Sequence, residues 1–150
     1  MILRTAWVFS EYGNNFMKTM LRLGGERESL SVVDDQVGCP TYAGDIARAC
    51  LAVCGAEDEG TAEYGVFHYC GTDIMSWFIF ASHIFEQATC NGRVKRAPKL
   101  NAITTEQYPT PAVRPRYSVL SNALFHSAYN ALPLSTDETI QLCLDRLVDA

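Results

Sequence analysis

Three stretches of this 150-residue chain gather side chains that can hold a ligand. In the first, Val33-Asp34-Asp35-Gln36-Val37-Gly38-Cys39-Pro40-Thr41-Tyr42-Ala43-Gly44-Asp45, carboxylates, an amide and a glycine share one strand-to-helix loop. Such a loop presents hydrogen-bonding groups beside a helix N-terminus, whose free N–H groups favour anions. A polar turn that only caps the helix would read the same way. In the second, Tyr108-Pro109-Thr110-Pro111-Ala112-Val113-Arg114-Pro115-Arg116-Tyr117-Ser118, prolines stiffen an extended segment from which two arginines project. The planar guanidinium suits two-pronged contact with phosphate; the alternative is a rigid connector with solvated arginines. In the third, Arg4-Thr5-Ala6-Trp7-Val8-Phe9 precedes Gly13-Asn14-Asn15-Phe16. A tryptophan near the C-terminal end of a strand points towards the crevice where open α/β sheets bind ligands. Its indole can stack on a base or sugar there, or fill core.

Positioning these groups requires alternating strands and helices. Ile2 to Phe9 is apolar on both faces, which predicts one strand buried inside a sheet and in need of neighbours on both sides. Phe16, Met17, Met20 and Leu21 recur at helical spacing, with Asn14 or Asn15 as N-cap and Gly24-Gly25 as the stop. Leu30 to Val33 reads as a strand. Thr41 can then cap a helix over Tyr42 to Cys54, with Ile46, Ala47, Cys50, Leu51 and Cys54 on one stripe. Gly65 to Cys70 reads as a strand, Ser76 to Gln87 as a helix, and Asn101 to Thr104 as a short strand. The prolines of 108–115 exclude regular structure there. Two helices close the chain, near Ser121 to Asn130 and Asp137 to Val148, the second capped by Ser135 or Thr136. The alternation indicates an α/β or α+β fold.

Composition narrows the function. With 48% hydrophobic and 19% charged residues the chain can bury a core. A net charge of −5 disfavours nucleic acid, whose affinity comes from clustered Lys and Arg. The longest apolar run, Met75 to Ile84, is too short and too interrupted to span a membrane. Met1 leads into Ile-Leu-Arg-Thr without a basic, cleavable leader, so the expected location is the cytoplasm. The six cysteines, at 39, 50, 54, 70, 90 and 143, form no C-x-x-C pair. They are expected to be reduced and structural, with a metal site built from Cys50, Cys54, His68 and Cys70 as the alternative.

Taken in order, R-T-A-W-V-F with N-N-F-M-K-T-M, then V-V-D-D-Q-x-G-x-P-T-Y-x-x-D-I-A, G-V-F-H-Y-C-G, S-W-F-x-F-A and Y-P-T-P-A-x-R-P-x-Y-S-V-L-S-N resemble the C-terminal half of the dTDP-4-dehydrorhamnose reductase family. That family lies within the extended short-chain dehydrogenase/reductase superfamily. The resemblance runs from Ile2 to about Leu147. It implies an α/β fold: the last strands of a Rossmann-like NAD(P)-binding sheet with a small α/β substrate-binding subdomain, residues 1–150 being the substrate-binding part. It also implies NADPH-dependent reduction of the 4-keto group of dTDP-4-dehydro-β-L-rhamnose. By the same resemblance Trp7 contacts the substrate, and Asn15, Gln36, Thr41, Arg114 and Ser118 line the nucleotide-sugar side of the cleft. The family's NADPH (or NADH) is held mainly by an N-terminal half. The resemblance admits Mg²⁺ and a homodimer without fixing either.

Two family features are missing. No G-x-x-G-x-x-G turn follows a strand, and no tyrosine is followed four residues on by lysine. That pair would donate a proton to the carbonyl and lower the donor's pKa. The chain alone is therefore expected to bind nucleotide-sugar without catalysing, no catalytic residue being assigned, and to need the N-terminal half for activity. The alternative is a non-catalytic nucleotide-sugar-binding or regulatory remnant of the superfamily.

Overall fold

Ile2 to Phe9 does not form one buried strand. In a computed structural model, which describes residues 1–147, it splits into β1 (Ile2–Arg4) and β2 (Val8–Phe9). The break falls where Trp7 takes a left-handed conformation, φ 53°, costly for a bulky residue and held only by its surroundings. Then follow α1 (Phe16–Glu26), β3 (Ser29–Val33), β4 (Val37–Gly38), β5 (Thr41–Tyr42), α2 (Ala43–Asp58), β6 (Val66–His68), β7 (Met75–Ser76), α3 (Trp77–Cys90) and β8 (Lys99–Ile103). A 3₁₀ turn at Thr105–Gln107, α4 (Ala123–Tyr129) and α5 (Thr136–Arg146) complete the order.

The strands pair in twos. β1 lies parallel to β6, β2 to β5 and β3 to β8, and β4 is antiparallel to β7. The β3–β8 register, from Ser29 opposite Lys99 to Val33 opposite Ile103, is the longest. Because β1 has only β6 and β2 only β5 beside it among the described residues, Ile2 and Val8 are exposed rather than buried. The fold class is α/β, as expected.

Other expectations are corrected by local packing. α1 runs through Gly24 and Gly25 to Glu26. A Cβ at Gly24 would lie 2.3 Å from the Phe85 ring, so this glycine lets α1 and α3 approach closely instead of ending the helix. Thr41 does not cap α2: its hydroxyl donates to the Cys39 carbonyl (3.0 Å) and accepts from the Gly71 amide (3.1 Å). The inward face of α2 carries Asp45, Ile46, Ala49 and Val53, while Ala47, Cys50, Leu51 and Cys54 face outward. Asp45, in the first turn of α2, is buried, accepting from the Leu134 amide (3.0 Å) and pairing with Arg48; this carboxylate is scaffolding. Asn15 and Ser135 act as N-caps, Ser135 within a full capping box with Glu138. Val148, the expected end of the last helix, lies outside the described residues. No described helix is long and apolar enough to cross a membrane.

The main core gathers Phe9, Met17, Met20, Val32, Phe80, Ile84, Phe85, Ile140 and Leu144 between α1, β3, α3 and α5. A second packs Phe67, Tyr69 and Phe125 with Ala49 beneath α2 and α4. Each buried aromatic or aliphatic side chain contributes roughly 1.5–3 kcal/mol. Burial pushes the Tyr69 phenol up to about 12. Burial, with Glu11 beside it, pushes the Cys143 thiol up to about 12. Both groups keep their protons in the native state at pH values where the unfolded chain loses them. Their stability contribution is full below the unfolded pKa and is lost as pH rises. Unfolding free energy should therefore fall from about pH 9 through Cys143 and more steeply above about pH 10 as Tyr69 joins, each with a limiting slope of about 1.4 kcal/mol per pH unit. Urea titrations from pH 8 to 11 check this; Cys143→Ala should make the decline between about pH 9 and 10 shallower, and an unchanged profile in that variant would contradict it.

Candidate functional site

A cavity of roughly 650 Å³ opens between α1, β3, the end of β8 and the proline-rich segment. Its size is in the range of small-molecule sites, roughly 300–1,000 Å³. One wall is the face of α1 carrying Phe16, Thr19, Met20 and Leu23, side chains that helical spacing brings into one row. The floor is Leu30 to Val33 with Ile103, and Trp77 closes one end. Gln36, Gln107, Tyr108, Thr110 and Arg114 supply polar groups at the rim. The site is an apolar slot with a polar edge.

The acidic loop after β3 turns out to be the frame of this slot. Ser76 donates to the Asp34 carboxylate (2.5 Å) and accepts from the Ile79 amide (3.1 Å). It thereby caps α3 and sets the position of Trp77, the first residue of that helix. Asp35 accepts from both the hydroxyl (2.6 Å) and the amide (2.8 Å) of Thr105. The Thr105 hydroxyl bond holds the Asp35 carboxyl below its usual range, with the Thr105 amide and Arg116 helping against partial desolvation. The same hydroxyl accepts from the Gln36 side-chain amide (3.1 Å), so Asp35 fixes Gln36 through Thr105. The Gln36 carbonyl is then the acceptor left for a ligand.

The two arginines separate. Arg116 lies 3.5 Å from Glu106 and 3.9 Å from Asp35, already facing carboxylates. Arg114 lines the cavity and makes no ion pair among the described residues. The segment bearing them is anchored by main-chain bonds from Val37 to Arg116 (2.8 Å) and from Ser118 to Val37 (2.8 Å).

Of the expected site residues, Gln36 and Arg114 meet at the cavity. Trp7 is half-buried and adjoins it: its ring stacks on Trp77 at 3.5 Å and 5°, and its Nε1 donates to the Ser118 hydroxyl (3.0 Å). A Cβ at Gly38 would lie 2.4 Å from the Trp7 ring, which explains that glycine. Trp7 and Ser118 thus support the Trp77 end of the site without lining the cavity. Asn15 supports it too, its side chain bonding the Ser10 carbonyl (2.7 Å) and the Lys18 amide (3.1 Å) to launch α1. Thr41, fully buried against Gly71, is a correction: its hydroxyl is consumed between two backbone segments and it does not line the cavity. Sequence reasoning missed Phe16, Thr19 and Trp77. The helical row was legible but read only as a helix, and the Trp77 role depends on a capping bond from a distant loop.

The family model described as the RmlD substrate binding domain matches residues 1–148. The chain belongs to this family. A dTDP-4-dehydrorhamnose reductase of Aggregatibacter actinomycetemcomitans is 46% identical over 133 residues, covering 88% of this chain and 45% of that protein. Among solved structures, a dTDP-4-dehydrorhamnose reductase from Clostridium acetobutylicum superposes with TM-score 0.83 at 38% identity, over 97% of this chain and 48% of that one. One from Bacillus anthracis, in complex with NADP, gives TM-score 0.79 at 35% identity over 98% and 48%. This RmlD substrate-binding domain spans about half the length of the relatives it matches. Relatives named as reductases do not favour the reading as a non-catalytic remnant.

The residues of this RmlD domain do not fit a dinucleotide by themselves. Gly24 and Gly25 lie inside α1 rather than in a strand-to-helix turn that would cradle a pyrophosphate. No group of three or more His, Cys, Asp or Glu side chains converges among the described residues.

Proposed function

We propose that this domain is the nucleotide-sugar-binding part of a dTDP-4-dehydrorhamnose reductase. The observation that carries the reading is the slot itself, an aromatic-ended apolar cavity whose rim holds Arg114 without an ion pair among the described residues, in a chain of this family. A thymine ring enters between the Phe16–Trp77 end and the floor of β3. The Gln36 carbonyl accepts from the imide N–H, and the Arg114 guanidinium meets the diphosphate. The sugar then projects towards the cofactor half, which carries NADPH and the proton-donating tyrosine–lysine pair. The chain's own residues bind and orient the substrate and exclude water from its base; they carry out no hydride or proton transfer. The edge of β1 left unpaired among the described residues is where a strand of that half would continue the sheet.

Calorimetry with dTDP tests the binding step on this chain directly, expected to show one site with thymidine weaker than dTDP. Reductase activity should appear only when an N-terminal half bearing the glycine turn and the tyrosine–lysine pair is supplied. A folded chain that binds neither dTDP nor thymidine would overturn the reading.

A further inference from the structure

Cys50 and Cys54 stand one turn apart in the middle of α2, and both are exposed. Side chains four apart on a helix share a face, with Cβ atoms about 5–6 Å from each other. The two thiols therefore leave the surface side by side. Neither has a hydrogen-bond partner among the described residues. Leu51 beside them is 69% exposed, and Ala47, one turn before, is exposed too, so the strip is apolar. Of the charged side chains on α2, Arg48 pairs with Asp45, Glu57 accepts from the Tyr64 hydroxyl (2.5 Å), and Asp58 stands one turn beyond Cys54.

The other cysteines offer nothing comparable. Cys39, Cys70 and Cys143 are buried, and Cys90, though exposed, ends α3 alone. The four-residue metal site that the sequence allowed does not assemble: the Cys70 thiol donates to the Leu120 carbonyl (3.3 Å) in the interior, and no third ligand converges on Cys50 and Cys54 among the described residues. A dication such as zinc, which takes four ligands, is therefore not served. Two soft sulfurs on an apolar strip suit a neutral, thiol-seeking ligand that needs only two protein atoms.

We propose that Cys50 and Cys54 form a surface dithiol site for a monosubstituted trivalent arsenical, R–As=O. Each sulfur forms one As–S bond, the arsenic–oxygen bond breaks, and the oxygen leaves as water with the two thiol protons. Arsenic stays trivalent and keeps R as its third substituent; neither sulfur is oxidised, so no oxidant enters the step. A direct disulfide needs Cβ atoms about 3.5–4.5 Å apart, closer than the helix sets them. The helix thus keeps the pair as thiols, whereas an arsenic atom between the sulfurs lengthens the bridge. α2 does not line the nucleotide slot, so this inference is independent of what the slot binds.

The test uses the full chain carrying Cys90→Ser, incubated with phenylarsine oxide. Native mass spectrometry should show one arsenical per chain with loss of one water. Iodoacetamide should alkylate both Cys50 and Cys54 in the untreated native chain and neither in the treated one, and 2,3-dimercaptopropanol should restore both. Adding Cys50→Ser or Cys54→Ser should weaken binding at least about 100-fold, because the second As–S bond then has no sulfur held nearby. Unweakened binding in either serine variant, two arsenicals per chain, or an arsenical still bound once Cys50 and Cys54 are both alkylated would overturn the proposal. The alkylation map decides it on the Cys90→Ser chain even where a serine variant does not fold.

Discussion

Replacing Arg114 by alanine should weaken dTDP binding about 30-fold and leave thymidine binding and thermal stability unchanged. The magnitude is that of a lost charge-assisted hydrogen bond, about 2 kcal/mol. Arg114 is exposed at the cavity rim and engaged with no carboxylate among the described residues, so its removal leaves no buried group unpaired. Surface changes of that kind move stability by no more than about 0.5 kcal/mol. Arg116→Ala is the internal comparison. That side chain faces Glu106 and Asp35, and its loss should alter dTDP affinity less than threefold, on the scale of an exposed ion pair of about 0.5 kcal/mol. Calorimetry on both variants decides the matter. Equal losses for dTDP and thymidine in Arg114→Ala would mean that the arginine shapes the slot rather than meeting phosphate.

The largest loss of stability should come from Gly71→Ala, about 3 kcal/mol. The added Cβ would fall 2.0 Å from the Pro40 carbonyl oxygen, a backbone atom that no rotamer change can remove. Pro40 cannot retreat easily, because Thr41 next to it donates its amide to the Trp7 carbonyl (3.1 Å) within the β2–β5 pairing. Gly25→Ala makes the opposite case. That glycine is in α1, exposed, with nothing within 4 Å of its added Cβ. Alanine there should stabilise by up to about 1 kcal/mol, the usual helical difference between the two residues. Urea unfolding of both variants checks the pair. A Gly71→Ala chain within 1 kcal/mol of the parent would show that the two segments can part at little cost.

Much of the fold was legible before the structure. The helical row beginning at Phe16, the Asn15 and Ser135 caps, the β3 and β6 strands and the irregular proline segment follow from periodicity, capping chemistry and fixed φ, which act over a few residues. The misreadings share one cause. Gly24-Gly25 looked like a helix stop because glycine commonly ends helices, yet the residue that decides is Phe85 on another helix. Thr41 looked like a cap because of its place before α2, yet its hydroxyl is claimed by Gly71 thirty residues away. The stripe on α2 was rotated because alanine and cysteine fit either side of a helix that buries a carboxylate.

For the site, sequence alone determined the chemistry on offer: a tryptophan, an amide and two arginines in segments whose order resembles one reductase family. Only the tertiary structure decided their use. It stacked Trp7 on Trp77, set Arg116 facing two carboxylates while leaving Arg114 at the cavity, and turned Asp34 and Asp35 into supports for Trp77 and Gln36. The reason is physical. Residue type fixes which bonds a side chain can make, but which partner it finds depends on distances between segments far apart in the chain, and those are set by packing.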